Sequence, residues 1–171
     1  MNRSGRFILL LLLSFSLIAI PPDTTAGGTH VYKNPEDVVA WVYRDFAFSA
    51  IMPFYWEDAS LIEQSEETLL RYFTEELTLL IIKDRLCAEE THGICNLDFD
   101  PIFAAQDPGV MDLEITPADT SNTVRVQFTY PGSGQEINLS YEVKKTYRGW
   151  RIKDIIYSDG SALREILNGQ L

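Results

Sequence analysis

The residues with chemical potential in this chain are mostly acidic. Asp154 follows the alternation Trp150, Ile152, Asp154, Ile156, and strict period two puts its carboxyl on the apolar face of a strand. A carboxylate there needs a partner or a hydrated pocket. In a pocket, with a tyrosine as the second group, it offers acid–base chemistry. A β-bulge would instead turn Asp154 outward and let Ile155 and Tyr157 pack. Asp98, Asp100, Gln106, Asp107 and Asp112 form a second acidic cluster. Calcium draws oxygens from such groups, but the D-x-D-x-D-G loop spacing is absent and Pro101 interrupts the run. Capping and Asx-turn roles explain these residues without metal. Trp41, Phe46, Phe54, Tyr55, Trp56 and Tyr72 can line an apolar pocket with polar tips or serve as core. Tyr55 and Trp56 lie in a connection, which favours them as ligand contacts. The candidate ligand-binding set is therefore Tyr55, Trp56, Tyr72, Asp100, Gln106, Asp107 and Asp154, with no catalytic set.

Cys87 and Cys95 are the only cysteines. In an oxidising compartment a close pair is most simply a disulfide, worth about 2.5 kcal/mol for so short a loop. The rivals are free thiols or a metal site, in which Cys87, His92 and Cys95 recruit Glu89 or Glu90 at a spacing less regular than closed zinc sites use. Nucleophilic catalysis is poorly served: His30 and His92 are the only histidines, and no G-x-S-x-G occurs. A two-carboxylate hydrolase stays open, because 25 acidic residues offer many accidental pairs. No Gly-rich phosphate loop or dinucleotide fingerprint calls for a cofactor. Asn138-Leu139-Ser140 is a formal glycosylation sequon set in mid-strand.

Helices and then strands position these groups. Asn34, Pro35, Glu36 and Asp37 open a helix running to about Ala50, with Val38, Trp41, Val42 and Phe46 on its apolar stripe. Pro53 to Ser60 reads as a connection. Ser65 with Glu66 and Glu67 opens a second helix, its apolar period carried by Leu69, Leu70, Phe73, Leu77, Leu80 and Ile81 and reaching about Glu90. Period two then takes over in four segments: Met111–Ile115, Val124–Tyr130, Ile137–Val143 and Trp150–Lys153. A short helix, Ser161 to Leu167, closes the chain. These elements predict an α+β domain, with N-terminal helices packed on a curved four-stranded antiparallel sheet. A twisted sheet wrapped round a helix leaves a cone with an open end, a natural pocket.

The first residues set the compartment. Arg3 and Arg6 flank an apolar run from Phe7 to Ile20, then Pro21-Pro22 and Thr24-Thr25-Ala26. That is the layout of a secretory signal peptide, with cleavage after Ala26. The run is too short for a membrane span, and none remains in 27–171, which reads as a single domain. At 46% hydrophobic the chain is a folding globule. Losing Arg3, Arg6 and Asp23 with the leader takes the formal charge from −11 to −12. Such acidity repels nucleic acid and anionic lipid headgroups at long range and suits a basic partner or cationic ligand, or serves solubility alone.

Helices first, then a sheet ending in Gly149-Trp150-Arg151-Ile152-Lys153-Asp154-Ile155, resemble the nuclear-transport-factor-2-like and cystatin-like superfamily. Asp98-Phe99-Asp100-Pro101-Ile102 followed by Gln106-Asp107 is similar to the YbjP/YqhG-like domain of unknown function. The resemblance spans nearly all of 27–171 and implies a cone-shaped fold and export, periplasmic or secreted. It brings no catalytic residues; in pocket-bearing superfamily members an inward acid like Asp154 serves as a base or ligand anchor. This chain lacks the lipid-accepting cysteine of the lipoprotein members. The first functional expectation is a non-catalytic exported binding domain for a protein or small ligand. The second is an immunity or inhibitor protein that neutralises a basic partner. The third is a pocket enzyme using Asp154.

Overall fold

A computed structural model describes residues 31–51, 60–107, 109–120 and 122–169. The expected leader and the connection carrying Phe54, Tyr55 and Trp56 lie outside the described residues. The elements are α1 (Pro35–Ile51), a 3-10 turn (Leu61–Glu63), α2 (Glu66–Tyr72), α3 (Glu75–Thr91), β1 (Met111–Pro117), β2 (Thr123–Thr129), β3 (Glu136–Thr146), β4 (Gly149–Ile156) and α4 (Leu163–Leu167). The strands form one antiparallel sheet in the order β1-β2-β3-β4. The fold is α+β, as the switch from helical to alternating periodicity predicts.

α1 lies across the sheet and contacts all four strands. Asp37 accepts the backbone N–H of Asn34 at 3.0 Å, satisfying a group at the helix start. Asn34 was expected to cap with its own oxygen, but its side-chain amide donates to Asp37 instead. The buried face is wider than the expected stripe, because Val39 and Tyr43 join Val38, Val42 and Phe46. Trp41 is only half-buried and carries the Arg44 guanidinium 3.0 Å from its ring centre.

The second helix differs from expectation: it is two helices. Phe73 and Thr74 adopt extended backbone. Phe73 forms a parallel bridge with Ile152, and the Thr74 N–H donates to the Ile152 carbonyl at 2.9 Å. The Thr74 hydroxyl then accepts Leu77 N–H and starts α3 afresh. Phe73 N–H keeps its helical bond to the Leu69 carbonyl at 2.9 Å, and the chain leaves the helix only from there, where it pairs with the edge of β4.

β2 and β3 alternate as expected, burying Val124, Val126, Phe128, Ile137, Leu139, Tyr141 and Val143. β1 and β4 each carry one extra residue. In β1 the register shifts between Met111 and Glu114, with Asp112 at φ 52°. Met111 and Leu113 are therefore exposed rather than packed, and Ile115 alone of the expected trio reaches the core. In β4 the register shifts at Lys153, between the pairs Val143–Ile152 and Glu142–Asp154. Ile152 faces the core before the bulge, and Ile155 and Tyr157 after it.

The outer edge of β4 is paired piecemeal by three separate segments. Tyr32 bridges Gly149, Phe73 bridges Ile152, and Ala162 bridges Ile156. Gly149 must be glycine for this: its φ is +92°, and a Cβ would stand 2.8 Å from the Tyr32 carbonyl oxygen.

Segment 97–105 fills the end of the apolar layer where an open-ended pocket was expected. Ile102 and Phe103 have no exposed surface and join the single buried core. Three tyrosines tie down three successive carbonyls there: Tyr157 on Pro101, Tyr43 on Ile102 and Tyr130 on Phe103. The Tyr43 proton is committed to Ile102 at 2.6 Å, so Tyr141 donates to the Tyr43 oxygen at 2.9 Å. Burial raises the pKa of all four phenols and keeps them neutral. Pro101 to Phe103 reach inward because their backbone oxygens find these donors, which removes the usual cost of burying a loop.

Candidate functional site

The candidate site is a cleft of about 440 Å3 at the opposite end of the sheet, between the α2–α3 break and the β3–β4 hairpin. Leu70, Phe73 and Thr74 line one wall, with Glu75 and Glu76 from the first turn of α3. The hairpin supplies Lys144, Lys145, Arg148, Arg151 and Lys153, five of the chain's 14 basic residues. The acidic balance, which suits a cationic partner, stops at this cleft.

Arg151 is the unusual member, at 3% exposed. Its Nε donates to the Leu70 carbonyl at 3.0 Å and its Nη1 to the Trp150 carbonyl at 2.7 Å. Its guanidinium carbon sits 5.5 Å from the centre of the Tyr32 ring. No carboxylate pairs with it among the described residues. Burial lowers its pKa, and Arg148 adds to the effect. A buried cation without a counter-ion is costly, so the fold holds a charge here that an anion would satisfy.

Lys144, Lys145 and Arg148 likewise have no ion pair among the described residues, whereas Lys153 is held by Glu142 at 2.8 Å and Glu76 is paired with Arg164. Tyr147, 83% exposed, marks the rim. Ordinary alternation places Arg151 on the face opposite the core-facing Ile152, beneath the α2 carbonyl that fixes it.

The structure disperses the residues singled out in the sequence. Asp154 is buried on the face of β4 away from α1, beneath α4, and does not line the cleft. Its Oδ1 accepts the Ile155 N–H at 2.9 Å and the Arg164 N–H at 3.1 Å. Burial raises its pKa against those two bonds. Tyr72 is buried against Phe46 and Tyr32 and donates its hydroxyl to Asp45. Asp100 caps its own turn by accepting the Ile102 N–H at 3.0 Å, and burial pushes its pKa up to about 6. Gln106 donates to Asp98, and Asp107 is exposed. Asp100 and Gln106 thus stay near each other at the filled end, while Tyr72 and Asp154 lie apart from them. Tyr55 and Trp56 lie outside the described residues.

Cys87 and Cys95 form a disulfide with a Cα–Cα distance of 6.1 Å, so these thiols are not metal ligands. Among the described residues, no cluster of three or more His, Cys, Asp or Glu is placed to hold a metal. No helix among them is long and apolar enough to cross a membrane.

The cleft had a signal in the sequence: residues 144–153 carry five cations and no acid. The acidity of the whole chain hid it.

No family model and no curated protein matches this chain. Among solved structures it is similar to a protein of unknown function from Bacteroides thetaiotaomicron VPI-5482. That likeness has 21% identity and a TM-score of 0.44, over 71% of this chain and 87% of the other. A second is a phospholipid-binding protein from Ralstonia solanacearum in complex with a phospholipid, with 19% identity and a TM-score of 0.34, over 80% of this chain and 70% of the other. Neither likeness bears on what this chain binds.

Proposed function

We propose that this chain is an exported, non-catalytic binding domain of the YbjP/YqhG-like kind, which takes an anionic ligand in the basic cleft. One observation carries the reading: a buried arginine and three further cations without carboxylate partners line one concave surface of a chain whose net charge is −11. Proteins rarely hold buried charge unpaired unless something else supplies the opposite sign. The disulfide supports export, since such bonds persist in oxidising compartments.

The inhibitor reading rests on acidity alone, and the enzyme reading loses its geometric basis because the Asp154 carboxylate is engaged by two backbone amides under α4.

Native mass spectrometry of the protein purified from an envelope extract tests the proposal. The expected result is an added small-molecule mass in the wild type that is absent from Lys144→Glu/Lys145→Glu. A bound basic protein that elutes with salt, with no small molecule, would overturn it in favour of the inhibitor.

A further inference from the structure

We infer that the group held in the cleft is a phosphate, anchored by Arg151; the inference rests on the binding reading above. Arginine has five N–H donors in a planar fork. Two are used, on the carbonyls of Leu70 and Trp150, and the other three have no partner among the described residues. The guanidinium is therefore fixed before any ligand arrives, with donors to spare in the geometry that phosphate oxygens accept in pairs.

The charge count favours phosphate over carboxylate. Arg151, Lys144, Lys145 and Arg148 have no ion pairs among the described residues, and Glu75 is the lining acid left to oppose them once Glu76 is paired with Arg164. A carboxylate brings one negative charge and two oxygens. A phosphate monoester brings about −1.5 to −2 and three oxygens.

The third contribution is backbone. α3 is 17 residues long and starts on the cleft wall. Thr74 N–H is taken by Ile152, and Leu77 N–H by the Thr74 hydroxyl. The Glu75 and Glu76 amides remain without partners among the described residues, at the end of a helix that favours anions. The apolar wall of Leu70 and Phe73 and the exposed Tyr147 suit the uncharged remainder of the ligand. That phosphate can belong to a soluble phosphate ester or to a lipid headgroup.

The test has two arms. In the first, the purified protein is titrated with glycerol phosphate, and with sodium acetate as control, while its backbone amides are followed by NMR. Saturable shifts at Glu75, Glu76 and Arg151 are expected with glycerol phosphate alone. Arg151→Met should weaken binding about tenfold or more, the value of one charge-assisted pair. Because Arg151 is buried, the exposed pair Lys144→Gln/Lys145→Gln serves as a second variant that leaves the fold intact, and it should weaken binding in the same direction. In the second arm the protein is sedimented with phosphatidylcholine vesicles, with or without a quarter of phosphatidic acid, whose headgroup is a phosphate monoester. Pelleting only with phosphatidic acid, lost in the double glutamine variant, assigns the phosphate to a lipid. Glycerol phosphate binding without pelleting assigns it to a soluble ester. Equal shifts with acetate, or no response in either arm, overturn the phosphate inference. If the native-mass ligand is then still lost from Lys144→Glu/Lys145→Glu, the anionic-ligand reading survives; if no such ligand exists, both fall.

Discussion

The two ends of the sheet treat buried polar groups in opposite ways. At the end closed by residues 97–105, four tyrosine hydroxyls find acceptors within the chain, three on the successive carbonyls of Pro101, Ile102 and Phe103 and one on a neighbouring hydroxyl. At the hairpin end, a buried arginine keeps three donors without partners and three neighbouring cations lack counter-ions among the described residues. The first arrangement is neutral and complete, and it stabilises the fold. The second is charged and incomplete, and it leaves donors free for an anion to take. Completeness separates structure from function better here than polarity does.

The strongest way to break this contrast is to open the closed end. Phe103→Ala removes a side chain with no exposed surface and should cost about 3–5 kcal/mol. Urea unfolding would measure it, and a loss below 1 kcal/mol would mean that the segment does not plug the core. Breaking the Cys87–Cys95 bond should cost about 2–3 kcal/mol, read as a lower melting temperature under reductant. It frees the stretch in which Asp84 holds the amides of Asn96 and Leu97, just ahead of the plug.

Acidity should sharpen the contrast next. Asp100 sits beneath the tyrosines with its pKa raised by burial to about 6, against about 3.9 unfolded. The folded state holds that proton more tightly. Its contribution is therefore complete below about pH 4 and lost as pH rises through about 6. Stability should increase by up to about 2 kcal/mol from pH 7 to pH 4, and Asp100→Asn should flatten most of that rise. Asp154, also raised by burial, adds in the same direction. A melting temperature that falls steadily on acidification to pH 4 would refute the assignment. The smallest effect belongs to the open end: Lys144→Gln/Lys145→Gln should change stability by less than about 0.5 kcal/mol while weakening ligand binding. A larger loss of stability would mean the lysines are structural.

What could be read from sequence followed periodicity. β2 and β3 alternate without interruption and were legible, as were α1 and the disulfide at the end of α3. β1 and β4 are also legible as strands, but the facing across each is not, because one extra residue at Asp112–Leu113 or Lys153 breaks the alternation and has no compositional mark. The break at Phe73 was hidden by an apolar period running through it. Yet Thr74-Glu75-Glu76 repeats the Ser65-Glu66-Glu67 start signal nine residues earlier. For Asp154 the sequence leaves two facings open, unbroken alternation or a bulge, and the bulge at Lys153 gives the outward one, with Ile155 and Tyr157 packed in its place.

The piecemeal pairing along β4 has a consequence for how the chain avoids its own copies. A strand edge left open is a template for intermolecular pairing. Here it is occupied by Tyr32, Phe73 and Ala162, contributed from the beginning, the middle and the end of the described chain. Each is a bridge of a single residue, weak by itself, and each competes locally with the same edge of another molecule. Protection against aggregation is thus distributed over the whole sequence. Removing Tyr32 at one end, or Ala162 with α4 at the other, would take core residues away and also leave that part of β4 free to recruit a neighbour.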